Sequence, residues 1–237
     1  MAQEFYKDGD KENGGRVIGG SSITPDGGLV FDRDRRVIRL TRKRFLPEDI
    51  VAFRFARVLE ESRVGYVVVA GYTAILFGRG RRSDDIDFIL EELDEERFME
   101  LCRRAREASF TLMQGDIWSE DSVKRLYQNY LVEGYGVRFM YRDNILPNVE
   151  VKLARTDIHR HALAHDIKVV VNDKFVVRIS PLELQIAYKL YLGSEKDFGD
   201  AVFLYTLFRD HIDRDELDKW CTRLRIDCRM LEEAGEL

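Results

Sequence analysis

The spacing of apolar residues changes several times along the chain, and each change predicts a different secondary-structure element. From Pro47 to about Ser62, apolar side chains recur at the three-to-four-residue spacing of a helix. Tyr66 to Val69 is an unbroken apolar run rich in β-branched residues, which is typical of a strand covered on both faces. Further strands are predicted at 85–90, 110–113, 137–141, 149–153, 167–171 and 175–179, with Asn172 and Asp173 as the hairpin turn between the last two.

Helical patterns separate these strands and then occupy the C-terminal part of the chain. They are predicted at 73–77, 94–108 and 119–131, with Ser119 as a cap, and again at 181–192, 197–209 and 213–225. Ser180, Pro181 and Glu183 form a start signal, in which Ser180 is the N-cap, Pro181 the first helical residue and Glu183 the second half of a capping box. The order of elements predicts an α+β fold, with a mixed β-sheet core, flanking helices and a C-terminal helical bundle.

Composition divides the chain into three segments. Residues 1–28 are rich in Gly, Asp, Lys and Ser, which favours a flexible N-terminal arm. Residues 29–179 carry the predicted sheet, and residues 180–237 carry the C-terminal helices. With 45% hydrophobic and 34% charged residues, the 237-residue chain is expected to bury a core as a globular protein.

Composition also argues against several classes of protein. No apolar run approaches the roughly 18 residues that a spanning helix needs, and the first residues lack the apolar core of a secretory signal. We therefore expect a cytoplasmic protein without membrane contact. Cys102, Cys221 and Cys228 are odd in number and lack CxxC spacing, which predicts reduced thiols. The net charge of −5 argues against a globally basic nucleic-acid binder, so a nucleic-acid partner would need a local basic patch.

Two predicted strands carry carboxylates on the face opposite their apolar residues. Side chains alternate along 85–90, so Asp85 and Asp87 share one face, with Cα atoms about 6.5–7 Å apart. The strand at 149–153 repeats the pattern, and Glu150 becomes a third carboxylate if the two strands lie close together. Converging carboxylates repel one another unless a cation lies between them, and their oxygens suit a hard divalent ion. The alternative is a solvated acidic edge, which is common on half-exposed sheets.

A candidate phosphate-binding turn precedes the first acidic strand. A helix that begins just after Gly71 would offer free N–H groups and a positive dipole end to an anion. The segment 67–90 resembles the signature of the nucleotidyltransferase superfamily with the DNA polymerase β fold, and more narrowly that of the minimal, AbiEii-like toxin group. The residues that carry the resemblance are Ala70, Gly71, Arg81, Ser83, Asp85 and Asp87. Ala70 stands where a first glycine is usual, and Tyr72 follows Gly71.

A second segment, 180–208, is similar to the helical part of the same group. Its matching residues are Lys189, Lys196, Asp197 and Asp200. The resemblance implies that the two lysines neutralise a triphosphate and that one of the two aspartates orients a lysine or the helix start. The alternative is a solvent-facing lysine, with Asp197 acting only as a helix cap.

The resemblance implies a metal-dependent nucleotidyltransferase, with 29–179 as the nucleotidyltransferase domain. The enzyme would transfer NMP from an NTP, such as ATP, to an acceptor such as tRNA, another RNA, a protein or a small molecule. The residues implied to be catalytic and to bind Mg²⁺ or Mn²⁺ are Asp85, Asp87 and Glu150, of which Glu150 could instead act as a base. The residues implied to bind the nucleotide are Gly71, Tyr72, Ser83, Lys189 and Lys196. The altered Gly-Gly turn leaves a rival hypothesis, a catalytically degenerate toxin–antitoxin module whose partner is an antitoxin protein.

Three basic features have both a functional and a structural interpretation. His161 and His165 are spaced to share a helix face, but no Cys or carboxylate completes a metal set, so a loop or short helix over the sheet is favoured. The arginine-rich stretch 33–44 either contacts a nucleic-acid backbone or protects an edge hairpin by its charge. The arginines of 79–82 either contact phosphates or remain solvated.

Overall fold

The computed structural model of the chain describes residues 21–22 and 28–234. Its strands are β1 (Ser21–Ser22), β2 (Leu29–Asp32), β3 (Val37–Leu40), β4 (Tyr66–Val69), β5 (Asp85–Leu90), β6 (Phe110–Leu112), β7 (Val137–Tyr141), β8 (Asn144–Leu153), β9 (Ile167–Val171) and β10 (Phe175–Ile179). Over the described residues these ten strands form one sheet in the order β1-β2-β3-β9-β10-β4-β5-β8-β7-β6. The predicted arm at 1–28 lies almost wholly outside the described residues.

Helices cover the sheet and form the C-terminal part of the chain. They are α1 (Pro47–Glu61), α2 (Gly71–Leu76), α3 (Glu95–Glu107), α4 (Glu120–Leu126), α5 (Asp157–Ala164), α6 (Leu182–Leu192), α7 (Glu195–Phe208), α8 (Arg214–Leu224) and α9 (Met230–Ala234). A π-helical turn, Tyr127–Leu131, continues α4. No helix in the described part of the chain has the length and apolar character needed to cross a membrane.

The sheet is mixed, and its pairing aligns the strands that carry the acidic residues. Strand β4 runs antiparallel to β5, and β5 runs parallel to β8. The β5–β8 register places Asp87 opposite Glu150. The predicted α+β class, with a mixed sheet, flanking helices and C-terminal helices, is confirmed.

The core is built from the apolar faces that the alternation predicts. On β5, Ile86, Phe88 and Leu90 are fully buried, whereas Asp85 and Asp87 on the other face are only half-buried. Helix α1 covers the apolar face, where the Phe55 ring lies 5.3 Å from Phe88 between centroids. Burial of such rings supplies most of the stabilising free energy. The opposite face is covered at Ile89 but leaves Asp85 and Asp87 partly accessible.

The C-terminal helices pack against the sheet domain through aromatic contacts. The Phe208 ring on α7 lies 4.8 Å from Phe77, just after α2, and 6.2 Å from Phe31 on β2. One core cluster contains buried residues from both segments. The division of the chain at residue 180 stays a prediction.

Local signals in the sequence are confirmed at two places and wrong at one. Ser119 accepts a hydrogen bond from the Ser122 backbone N–H, and Asn172 and Asp173 take φ values of 51° and 53° in the β9–β10 turn. Ser180, however, does not cap α6. Its hydroxyl lies buried and donates to Gln185, so Pro181 becomes the residue that flanks the helix.

The predicted state of the cysteines is wrong for two of the three. Cys221 and Cys228 form a disulfide, with Cα atoms 6.1 Å apart, whereas Cys102 is a free, buried thiol whose pKa is raised by burial. The chain reverses at Arg225, whose φ of 58° is left-handed, and this reversal returns Cys228 to α8. Such a pairing depends on chain reversal, which cysteine spacing alone does not reveal.

Candidate active site

Three carboxylates converge on the face of the sheet opposite α1. Asp85 and Asp87 project from β5, and Glu150 projects from the adjacent β8. One ligand oxygen from each lies within 4.8 Å of the others, and all three residues are half-buried. Within the described chain this is the one cluster of His, Cys, Asp or Glu residues that could hold a metal ion. Three hard oxygen donors suit a divalent cation such as Mg²⁺ or Mn²⁺.

The electrostatics of the cluster favour the entry of a cation. Burial, followed by the charges of Asp85 and Glu150, raises the pKa of Asp87 to about 7. The repulsion among the three carboxylates is relieved when a positive charge enters the cluster. The donor set therefore fits a divalent metal.

Two basic side chains already contact the third carboxylate. Lys152 Nζ lies 2.9 Å from Glu150 Oε2, and Arg138 Nη2 lies 3.4 Å from Oε1. Burial would raise the Glu150 pKa, but Lys152 and Arg138 hold it below its usual value. Alternation places Lys152 on the same face of β8 as Glu150. The ion pair between them could not be predicted from the sequence because it depends on the direction of the two side chains.

A glycine that the sequence analysis did not select also shapes the cluster. Gly136, just before β7, packs so closely against Glu150 that an added Cβ would overlap the carboxylate. A side chain at position 136 would require Glu150 to move, so glycine lets the carboxylate lie against the backbone. The Gly134-Tyr135-Gly136 sequence is the signal that could have indicated such a contact.

The loop 79–83 covers the start of α2. A Cβ at Gly71 would lie 2.6 Å from Arg81 Nη2 and 3.3 Å from Ser83 Oγ. Ser83 Oγ in turn lies 3.5 Å from Asp85 Oδ1. An anion near Gly71 would therefore meet the Arg81 guanidinium and the Ser83 hydroxyl as well as the backbone of this six-residue helix.

Tyr72 cannot offer its side chain to a nucleotide. The residue is fully buried, and its hydroxyl donates a hydrogen bond of 2.9 Å to Asp49. Asp49 also accepts bonds from Arg42 and from the Leu46 backbone. At this position only the main chain remains for ligand binding, so the implied contact of Tyr72 is limited to its backbone.

Ala70, the residue in place of the usual glycine, has a strained backbone. Its φ of 60° and ψ of −136° lie outside the regions that residues with a Cβ favour. The turn is held by Gln185, whose side-chain amide donates to the Ala70 carbonyl at 2.8 Å. The fold tolerates the strain because surrounding contacts fix the turn.

Replacing Ala70 by glycine is expected to stabilise the protein. Ala70→Gly removes the Cβ strain, and after the entropy cost of glycine we expect a gain of about 1 kcal/mol in the free energy of unfolding. Urea denaturation measures the change. Ala74→Gly, inside α2, is the control and should be destabilising. A loss of stability in Ala70→Gly would contradict the assigned strain.

The two implied nucleotide-binding lysines lie in different environments. Lys189 is buried, with its Nζ 3.0 Å from Asp197 and 2.8 Å from Asp200, whereas Lys196 is exposed. The alternative of a solvent-facing lysine is therefore wrong for Lys189. Asp197 is also not the cap of α7, because Ser194 holds that position and accepts from the Asp197 backbone N–H.

Asp200 connects the helical segment to the loop that covers α2. Its carboxylate is fully buried and pairs with Lys189 and, through two hydrogen bonds, with Arg81. Burial opposes ionisation, but Arg81 and Lys189 hold the Asp200 pKa below its usual value. The alternative in which the arginines of 79–82 remain solvated is therefore wrong at Arg81, whereas Arg82 pairs with buried Glu48 at 2.6 Å and stays exposed to solvent.

The other basic features serve contacts within the fold. The rings of His161 and His165 stack 4.1 Å apart between centroids at the end of α5. In the arginine-rich stretch, Arg39 pairs with Asp173 at 2.7 Å, and Arg42 pairs with the buried Asp49 at 2.9 Å. These contacts favour the structural interpretation of both features.

Comparison with solved structures finds several similar chains, which include two named proteins. One is an antigenic nucleotidyltransferase-like protein from Paracoccidioides brasiliensis, at 13% identity and a TM-score of 0.46, covering 79% of this chain and 91% of that chain. The other is the antibiotic-resistance factor ANT(2'')-Ia, at 10% identity and a TM-score of 0.43, covering 79% and 96%. No protein-family model and no curated protein matches the sequence. At these similarities the two structures give no information on the substrate of this chain.

Proposed function

We propose that the protein is a metal-dependent nucleotidyltransferase that moves NMP from an NTP to an acceptor. The observation that carries the proposal is the convergence of Asp85, Asp87 and Glu150 on adjacent parallel strands. Paired carboxylates on a rigid sheet, beside a loop with basic and hydroxyl groups, are the arrangement that metal-assisted phosphoryl transfer requires. The resemblance in 67–90 and 180–208 supports the same assignment.

Each carboxylate has a role in this proposal. Asp85 and Asp87 would hold Mg²⁺ or Mn²⁺, and Glu150 would complete the metal set or accept the proton of the acceptor. The metal, when bound, supplies positive charge at the phosphate oxygens. The ion pairs with Lys152 and Arg138 hold the Glu150 carboxylate in place.

The nucleotide would lie between the carboxylates and the loop over α2. Arg81 and Ser83 would contact its phosphates, together with the backbone at Gly71 and Tyr72. Lys196 is exposed and free to approach a triphosphate from solvent. Lys189, only 2% exposed and held by two carboxylates, would instead act as a positioning residue that fixes Asp200 and hence Arg81.

Nucleotide binding provides the direct test. We expect calorimetric titration to show binding of at least one of Mg-ATP, Mg-CTP, Mg-GTP and Mg-UTP, and the loss of that binding when EDTA removes the metal. Pyrophosphate release in the presence of an RNA and protein mixture then reports turnover. Absence of metal-dependent binding for all four nucleotides would refute the proposal.

Two contacts favour a second candidate, a module of this fold without catalysis. Arg81 occupies the space over Gly71, and Lys152 already neutralises Glu150. In a degenerate toxin-like protein these contacts would replace the nucleotide and metal, and the partner would be an antitoxin protein. The same titration distinguishes the two, because the module should bind no Mg-NTP.

A further inference from the structure

A buried asparagine lies in line with the carboxylate cluster. Asn148 is in β8, two residues before Glu150, and it pairs with Asp85 across the parallel β5–β8 register. Residues paired in this way direct their side chains to the same side of a sheet, and positions two apart along a strand share a face. Asn148 therefore lies on the carboxylate face, beside Asp85.

The Asn148 amide is held against the backbone of β5. Its Nδ2 donates to the Asp84 carbonyl at 3.0 Å, and its main-chain N–H donates to the same carbonyl at 2.9 Å. That carbonyl belongs to the peptide bond between Asp84 and Asp85. Because a carbonyl oxygen can only accept a hydrogen bond, this contact fixes which end of the amide is nitrogen. The amide therefore stays next to Asp85, with its oxygen available for a second contact.

The amide oxygen has no hydrogen-bond partner among the described residues. Asn148 is only 5% exposed, and its Oδ1 is buried. Buried carbonyl oxygens nearly always meet a hydrogen-bond donor, an ordered water or an ion, because removal from water without a partner is costly. An oxygen left open on the carboxylate face is therefore a candidate ligand for the cation that the cluster would hold.

The carboxylates near Asn148 differ in the groups that already contact them. Both oxygens of Glu150 contact basic side chains, at 2.9 and 3.4 Å. Asp85 accepts instead from a neutral group, the Ser83 hydroxyl, at 3.5 Å. The charge of Glu150 is thus compensated within the fold, which leaves Asp85 and the Asn148 oxygen as neighbouring donors for a cation.

We propose that Asn148 Oδ1 is an additional oxygen ligand of the divalent cation held by Asp85 and Asp87. Mg²⁺ and Mn²⁺ take about six ligands, and carbonyl oxygens are among the donors that suit them. A neutral oxygen also adds a donor without adding a negative charge to a crowded cluster. The inference rests on the proposed function for the presence of the metal, and it requires no particular nucleotide or acceptor.

Mn²⁺ binding without nucleotide tests this ligand. Electron paramagnetic resonance of free Mn²⁺ gives the dissociation constant. We expect Asn148→Ala to weaken Mn²⁺ binding by about tenfold or more, which is the usual effect of removing a group that supports a metal. Asp87→Asn should weaken it at least as much, which would locate the measured ion at the cluster.

Asn148→Asp separates the role of the amide oxygen from that of the amide N–H. The substitution keeps an oxygen but removes the donor that binds the Asp84 carbonyl. If the oxygen is a ligand, Mn²⁺ should bind at about pH 8 at least as tightly as to wild type, because the added carboxylate is ionised and attracts the cation. If Asn148 serves only to hold Asp84, the variant should lose affinity as Asn148→Ala does, and the inference would be wrong.

The melting temperature without metal shows whether these variants fold. Asn148→Asp adds charge to the cluster, so it should melt below wild type and regain most of the difference when Mn²⁺ is added. If Asn148→Ala does not fold, the affinity of Asn148→Asp decides alone. Binding weaker than wild type by about tenfold would then overturn the proposal.

Asn144→Ala is the matched control on the same strand. The Asn144 Nδ2 also donates to a main-chain carbonyl, that of Tyr141 at 3.1 Å, but the residue is exposed at the start of β8. Its Mn²⁺ affinity should stay within about twofold of wild type. A loss as large as that of Asn148→Ala would show that the effect is not specific to the buried oxygen and would contradict the assignment.

The outcomes distinguish this inference from the proposed function. If Asp87→Asn loses Mn²⁺ but Asn148→Ala binds like wild type, Oδ1 is not a ligand, and the nucleotidyltransferase proposal stands. If Mn²⁺ binding depends on Asn148 but no Mg-NTP binds, the inference holds and the proposed function fails. If the wild-type protein binds no Mn²⁺, the cluster is not a metal site and both are refuted.

Discussion

Asp87→Asn is expected to abolish nucleotide transfer and to leave the fold intact. The substitution keeps the shape of the side chain but removes a carboxylate oxygen from the cluster formed with Asp85 and Glu150. Loss of metal-based charge stabilisation costs several kcal/mol in the transition state, so the rate should fall about a thousandfold or more. Pyrophosphate release and label transfer from NTP measure the effect.

The stability of the same variant gives a second, independent readout. Burial and neighbouring carboxylates raise the Asp87 pKa to about 7 in the folded protein. An acid whose pKa is raised on folding loses stability as pH increases from its ordinary pKa to the raised value, because ionisation is then more costly in the folded state. In the absence of metal, Asp87→Asn should therefore melt at a higher temperature than wild type above pH 7, and the difference should shrink as pH falls.

Asp84→Asn is the matched control for both readouts. Asp84 is exposed, adjacent in sequence, and absent from the carboxylate cluster. Its substitution removes the same charge without removing a metal ligand, so turnover should stay within about twofold of wild type. If Asp87→Asn turned over NTP with Mg²⁺ at the wild-type rate, the assignment of the cluster would be wrong.

Lys189→Met is expected to be strongly destabilising. The lysine ammonium is buried between Asp197 and Asp200, and its removal leaves two negative charges without their closest shared partner. Breaking a buried ion pair by removing one member costs about 3–5 kcal/mol. Because Arg81 still pairs with Asp200, we expect a loss near the lower end of this range. Guanidinium unfolding followed by circular dichroism measures it.

Lys196→Met is the control on the neighbouring helix. Lys196 is exposed at the start of α7, and its substitution should change the free energy of unfolding by less than about 0.5 kcal/mol. If Lys196 contacts a triphosphate, the same variant should bind Mg-NTP more weakly at unchanged stability. A Lys189→Met variant as stable as Lys196→Met would contradict the positioning role that the buried contacts assign to Lys189.

Much of the fold could be predicted from local patterns. The strands Val137–Tyr141, Ile167–Val171 and Phe175–Ile179 have the bounds that alternation predicts, and the Asn172-Asp173 turn is present. Each of these features is set by residues that lie close together in the sequence, so the local pattern is sufficient to predict it. The predicted Ser180 cap is wrong because its hydroxyl donates to Gln185, whose own amide is held by the distant Ala70 carbonyl.

The candidate site was only partly accessible to the same reasoning. Alternation placed Asp85 and Asp87 on one face of a strand, but Glu150 joined them only on the condition that its strand lay close by. The contacts of Glu150 with Lys152 and Gly136 involve side-chain direction and close packing. Periodicity does not reveal these contacts, because Gly136 meets Glu150 from another segment and the Lys152 ion pair depends on the direction of two side chains.

The sequence by itself determined strands β4 to β10, most of the helices and the acidic face of β5, since these follow from spacing along a single segment. The tertiary structure decided that β5 and β8 are parallel neighbours in a register that sets Asp87 opposite Glu150. It also decided that Lys189 is buried with Asp200, and that Cys221 meets Cys228. Strands β5 and β8 are far apart in the chain, so their pairing, which brings the three carboxylates together, could not follow from any local pattern.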